Sequence, residues 1–129
     1  MKIEELREVF SHDRYAYNTG CFIEEVGEGY SRCSVILGED HKNAMGGVMG
    51  AVYFTLADFA FAVASNQEKM NTMSVSSNIS FLNACKGTKL IAEARCVKDG
   101  RTTCCYEIDI ADDTGRKIAL VVITGVHVG

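Results

Sequence analysis

Two hydrophobic periods, and one run with no period, divide this chain. Ile3, Leu6, Val9 and Phe10 recur at helical spacing, so a short helix is expected from Met1 to about Phe10. A short strand is expected from Cys21 to Val26, ended by Gly27. From Gly29 to Leu37 the pattern alternates, with Ser31, Cys33, Val35 and Leu37 on one side and Tyr30, Arg32 and Ser34 mostly on the other. The polar stretch GEDHKN, Gly38 to Asn43, is a loop. Then comes AMGGVMGAVYFTLADFAFAVA, Ala44 to Ala64, apolar or small at every position except Thr55 and Asp58. It predicts a helix from about Gly47 to Ser65, stopped by SNQEK.

Strand periodicity takes over afterwards. Thr72 to Leu82 puts Val75, Ile79 and Phe81 on one face and Ser74, Ser76, Asn78 and Ser80 on the other. Lys89 to Val97 groups Leu90, Ala92, Ala94 and Cys96. Thr102 to Ala111 groups Cys104, Tyr106, Ile108 and Ile110. Asp99-Gly100 is a hairpin signal and Asp113-Thr114-Gly115 a second turn. Lys117 to Val128 is apolar on both faces from Ile118 to Ile123, which suits a central or interfacial strand. With no proline in the chain, each strand keeps its full set of ladder donors.

A helix that is apolar nearly all round has to be buried nearly all round. In 129 residues, one domain's worth, the economical arrangement is a curved antiparallel sheet of five to six strands wrapped around a long central helix, an α+β fold over 1–129. The sheet covers one side of the helix. The other side then calls for a second subunit, so a homo-oligomer is expected.

Composition removes several alternatives. A net charge of −4 with no basic stripe argues against nucleic acid. A membrane span over 44–64 is disfavoured, because a central Asp costs about 3 kcal/mol on insertion. The start, MKIEELREVFSHDRY, has no apolar leader-type core. The six cysteines contain no CxxC pair, so no metal site is expected, and most occupy apolar strand positions as small hydrophobes. They read as reduced thiols of a cytoplasmic protein.

Asp58 is the ionisable residue of the apolar run, and burying a lone carboxylate is costly. Gly46, Gly47 and Gly50 lie where the helix begins. Helix-start amides beside a carboxylate about two turns on suggest an anion-stabilising site next to a base or nucleophile.

The segment HKNAMGGVMGAVYFTLADFAFAVASN, His41 to Asn66, resembles the signature of hotdog-fold acyl-CoA thioesterases of the phenylacetate-pathway type. That pattern runs approximately N-x-x-G-x-x-H-G-G-x-x-x-x-L-x-D; Asn43, Gly46, Gly50, Leu56 and Asp58 match in register. The strands after it, SVSSNISFLNACKGTKLIAEARCVKDGRTT, follow the same family's order. The resemblance implies a hotdog fold and hydrolysis of an acyl-CoA, with CoA part of the substrate and no other cofactor. It implies that the Gly50 amide stabilises the oxyanion and that Asp58 acts as nucleophile or general base, reaching across a subunit boundary. Asn43 would orient the carbonyl or the water, and Ser74 would help position water. Lys98 and Arg101 would meet CoA phosphates, in a dimer or a dimer of dimers.

Two positions depart from the pattern: Met49 replaces the usual His, and Ala51 the second Gly. Losing the His removes a polar group beside the thioester and motivates a rival reading, an acyl-CoA binding or sensing protein with little turnover. A hotdog dehydratase ranks last, because that chemistry wants a His beside the acid. Each candidate also has a plainer role: Asp58 as a structural acceptor, Asn43 as a turn residue, Lys98 and Arg101 as a solvated hairpin tip. His41 reads as a solvated loop residue, and His12 and His127 have no partner motif. Cys104-Cys105 makes a poor nucleophile pair because adjacent strand residues face opposite ways.

Overall fold

The computed structural model describes residues 1–129. The elements are helices α1 (Ile3–Phe10), α2 (Arg14–Thr19) and α3 (Gly50–Ser65), and strands β1 (Phe22–Gly27), β2 (Tyr30–Ile36), β3 (Thr72–Phe81), β4 (Lys89–Asp99), β5 (Thr103–Asp112) and β6 (Lys117–His127). A single 3-10 turn, Glu39–His41, precedes α3. The strands form one curved antiparallel sheet in the order β1-β2-β4-β5-β6-β3, with α3 packed on its inner face. This is the expected α+β hotdog architecture with six strands. No helix is long and apolar enough to cross a membrane.

The inward faces are those the alternation marks. Cys33 and Val35 on β2, Leu90, Ala92 and Ala94 on β4, and Ile108 and Ile110 on β5 are all buried. They meet Leu56, Ala60 and Phe61 of α3, and each fully buried large side chain contributes roughly 1.5–3 kcal/mol. Ser31 is the polar member of this face. Its hydroxyl donates to the Ala60 carbonyl at 2.7 Å, so even the buried serine is satisfied and ties β2 to α3. Asn66 ends α3: its side-chain amide donates to the Ala62 carbonyl, and its Oδ1 accepts from the Thr72 amide at 2.8 Å, aiming the chain into β3.

Four details differ from the periodicity reading. Helix α3 begins at Gly50, with Met49 at its N-cap, rather than at Gly47. Gly46 has φ +84° and belongs to the turn before it. Val75 does not join Ile79 and Phe81, because it is the extra residue of a bulge between Ser74 and Ser76 and lies exposed. Helix α2 has a six-residue sequence, RYAYNT, that buries only Ala16 and so carries no readable period. Lastly, the outer side of α3 is not left bare. Phe10 of α1 stacks edge-on against Phe59 at 5.9 Å, and α2 packs beside α3.

Candidate active site

The loop before α3 is organised by Asn43. Its Oδ1 accepts from the amides of Met45 and Gly47, both at 3.0 Å, and its own amide donates to the Gly47 carbonyl at 2.7 Å. The oxygen of this side chain is therefore committed to the turn, while its Nδ2 donates to no group of the chain and the residue lines a hollow of about 470 Å³. Met49 is fixed by a 2.9 Å bond from its amide to the His41 carbonyl. His41 is not solvated as its polar loop suggests. Its Nδ1 accepts from the Gly38 amide at 2.9 Å, so Nε2 carries the proton and donates to the Thr19 carbonyl at 2.6 Å. It braces the loop against the end of α2.

Gly50 is the first residue of α3, where amides have no intrahelical acceptor. Its N–H donates to no other group in the chain either. The Phe81 ring lies across it: a Cβ at Gly50 would stand 3.1 Å from the ring's Cζ, so glycine is what lets β3 close over the helix start. Phe81 also meets Tyr53, ring to ring, at 6.1 Å. With Asn43, Gly47 and Cys85, these two aromatics line the hollow beside Gly50. A second hollow of about 320 Å³ shares Gly47, Val48 and Cys85 and adds Lys42 and Lys86.

Asp58 lies about 12 Å further along the α3 axis. It is half-buried, and its carboxylate forms no hydrogen bond or ion pair within the chain. Burial pushes its carboxyl above the usual range, and the charge of Asp13 adds to this. Within the chain, Asp58 accepts from no buried backbone group. It opens onto a groove of about 460 Å³ between α2 and α3, whose walls include Asp13, Tyr15, Phe54 and Phe59. That groove shares no residue with the hollow beside Gly50, so within one chain the two groups serve different spaces.

Strand register locates the remaining candidates. Phe81, over Gly50, is level with Ala119, Ile110 and Ala92 across the sheet. Ser74 is level with Gly125, Cys104 and Asp99, at the other end. Ser74 is thus about 23 Å along β3 from the Gly50 end. Lys98 and Arg101 sit exposed around the β4–β5 turn, at Ser74's end. One chain brings Asn43 and Gly50 together, and leaves Asp58 midway and Ser74, Lys98 and Arg101 far off.

Two features escape the sequence. Asp13 and α2 form the outer wall of the Asp58 groove; the signal for them is thin, an Asp N-cap before Arg14 and the left-handed Gly20 (φ 99°) at the C-cap. His127 does have partners. Its Nδ1 pairs with the Thr72 hydroxyl at 2.8 Å and its Nε2 with Asp99 at 2.7 Å, clamping the ends of β3, β6 and β4.

With this geometry in hand, comparison with known proteins settles the family. Residues 45–119 match the thioesterase superfamily, and the chain belongs to it. A protein of Archaeoglobus fulgidus with an esterase description is 34% identical over 99 residues, 76% of this chain and 64% of that one. The aligned part thus spans a little under two thirds of this relative's length. The acyl-coenzyme A thioesterase PaaI of Escherichia coli K12 is 27% identical over 113 residues, 87% of this chain and 81% of that one. Among solved structures, a hypothetical thioesterase protein of Streptococcus pneumoniae TIGR4, crystallised with coenzyme A, superposes with a TM-score of 0.84 at 23% identity, covering 93% of this chain and 97% of that one. That likeness bears out the hotdog architecture.

Proposed function

We propose that this protein is an acyl-CoA thioesterase that works as a cytoplasmic homodimer, alone or paired into a tetramer, through a site shared between subunits. The observation that carries this is the pair of unused groups on one helix: the free Gly50 amide at its start and the unpaired, half-buried Asp58 carboxylate two turns in. Acyl transfer requires these two functions. A fixed donor stabilises the oxygen where negative charge develops, typically by about 3 kcal/mol. A carboxylate with raised proton affinity activates water or attacks the carbonyl itself. In the reaction, the thioester C–S bond breaks, water supplies the hydroxyl of the acid, and CoA leaves as the thiol.

Because the hollow beside Gly50 and the groove at Asp58 share no residue in one chain, the site is completed by a second copy. Strand β3 is the edge of the sheet, and two such edges related by a two-fold axis would pair antiparallel. That pairing turns the Ser74 end of one β3 toward the Gly50 end of the other. It also brings the Lys98 and Arg101 turn nearer to Gly50 of the partner subunit, where the phosphates of a CoA could reach it. Asn43 would present its free Nδ2 to the carbonyl or the water. No metal is required; CoA arrives as part of the substrate. The packing of Cys33 and Cys104 as core thiols suits a reducing compartment.

The test is thiol release from short, medium, aromatic and long acyl-CoAs, by the protein and by Asp58→Asn. The variant is expected to lose about 10³-fold in rate, within the span of general-base catalysis, while its assembly is unchanged. Equal rates would remove Asp58 from the chemistry. The exposed Met49 at the helix N-cap favours the second reading, a binding or sensing protein. In that case acyl-CoA raises the melting temperature while thiol release stays at background.

A further inference from the structure

We propose that Asp13 is a positioning residue for the reaction at Asp58: it supplies the groove's second carboxylate, acting on the reacting acid across the gap between α2 and α3 and not on the substrate. This rests on the thioesterase reading above. Asp13 is the N-cap of α2, and with Asp58 it lines the same groove. It makes no side-chain capping bond, the usual occupation of an Asp at this position. Its carboxylate is thus free of the helix it introduces and stands on the wall opposite α3.

No cation in the groove forms an ion pair with either carboxylate. Arg14 is the cation of the groove, but its guanidinium donates to the Ser11 carbonyl at 3.0 Å and lies 4.7 Å over the Tyr17 ring. Tyr15 projects to solvent. The α3 wall contributes Phe54, Thr55 and Phe59, and the Thr55 hydroxyl is turned back to the Ala51 carbonyl at 2.8 Å. His12, between α1 and α2, is held at the Val9 carbonyl and lies outside the groove. Two carboxylates therefore face one partly wet space with no base between them. Burial and then the charge of Asp13 both hold the Asp58 carboxyl up; Asp13 is itself held up by burial. Whether Asp58 acts as nucleophile or base, it must be ionised. The negative charge of Asp13 delays that ionisation to higher pH and leaves a more basic carboxylate once it has occurred.

The experiment is the pH profile of kcat/KM for Asp13→Asn, with Asp13→Ser as an independent second variant. Asn and Ser cap helices as well as Asp does, so α2 is preserved while the charge is removed. Both variants are expected to move the acidic limb to lower pH, raising the rate at the foot of that limb about threefold relative to the rate at pH 8. Asp13→Glu is expected to restore the limb toward its original position. Melting temperatures close to that of the unaltered protein identify the effect as electrostatic. If Asp58→Asn is inactive but the limb stays in place in both neutral variants, Asp13 has no part in the chemistry and this proposal falls alone. If Asp58→Asn retains full activity, the thioesterase assignment of Asp58 falls instead, and the inference falls with it.

Discussion

The sheet ends in two edge strands, and the chain protects one and exposes the other. β1 has six residues, carries Glu24 and Glu25, and is bent by a bulge between Ile23 and Glu25. The Arg7 guanidinium of α1 donates twice to the Ile23 carbonyl, at 3.0 and 2.7 Å, so part of the edge's own backbone is already satisfied. These are the usual devices that stop an edge from recruiting another strand. β3 has few of them. It is ten residues long, TMSVSSNISF, with no charge and no proline, and nearly every position is exposed. Its one bulge lies near the start, around Val75, and leaves Ser76 to Phe81 in regular register with β6. A long, neutral, uncovered edge is a site for a partner strand, and an antiparallel copy of itself is the partner that would complete the proposed active site. What lacks a cover is the far edge of the sheet, since Phe10 of α1 and α2 already pack on the outer face of α3.

The sharpest way to break this contrast is Ser77→Pro. The Leu82 amide donates to the Ile118 carbonyl at 2.8 Å. By the two-residue alternation of an antiparallel ladder, the Ser77 amide then points away from β6, and proline there leaves the chain's own sheet intact. The variant is expected to sediment as a monomer and to lose hydrolysis by about 10²-fold or more, the span seen when a catalytic constellation is disassembled. An unchanged mass would move the interface elsewhere.

A smaller effect is expected at the segment that leaves β3. The buried Asp112 carboxylate accepts from the amides of Lys86 and Gly87 with one oxygen and from those of Thr114 and Arg116 with the other. Burial alone would raise this acid, but the Thr114 hydroxyl and these amides overcome that and hold it below the ordinary carboxylate range. Asp112→Ala strands several donors and is expected to cost about 2–4 kcal/mol in chemical denaturation. A folded-state value below the unfolded one means that this stabilisation is present above about pH 4 and fades as the pH falls further. Acid unfolding should therefore be steeper in the natural protein than in Asp112→Ala.

The smallest expected effect tests the protected edge. Arg7→Ala frees the Ile23 carbonyl and removes the guanidinium from the Phe22 ring, 4.6 Å away. It is expected to cost about 1–2 kcal/mol, as for a partly buried charged hydrogen bond. Sedimentation should show no new oligomer, because the charges and the bulge of β1 remain. A second association mode in this variant would mean that Arg7 alone guards that edge.

Periodicity was sufficient for the core because burial acts on one face at a time. The alternating sets at Cys33 and Val35, Leu90 to Ala94, and Ile108 and Ile110 could be assigned without knowing what they would touch. It failed at Val75, where one bulge residue shifts the pattern, and at α2, whose single buried residue leaves no repeat to detect. The site divides in the same way. Asp58 and Gly50 stand out because an acid in an apolar run and a glycine at a helix start are locally anomalous. Asp13, His127 and the brace made by His41 are ordinary in their own neighbourhoods; their roles come from residues 22 to 55 positions away.

By itself, then, the amino-acid order determined the long helix, the six strands, the buried side of the regular ones and which acid is out of place, since these follow from spacing along a local backbone. Only the tertiary structure decided that the groove at Asp58 is separate from the hollow beside Gly50 and that Ser74 lies at the far end of β3. It alone shows that one sheet edge is guarded and the other free, because level and direction across a sheet arise from strand pairing between residues distant in the chain.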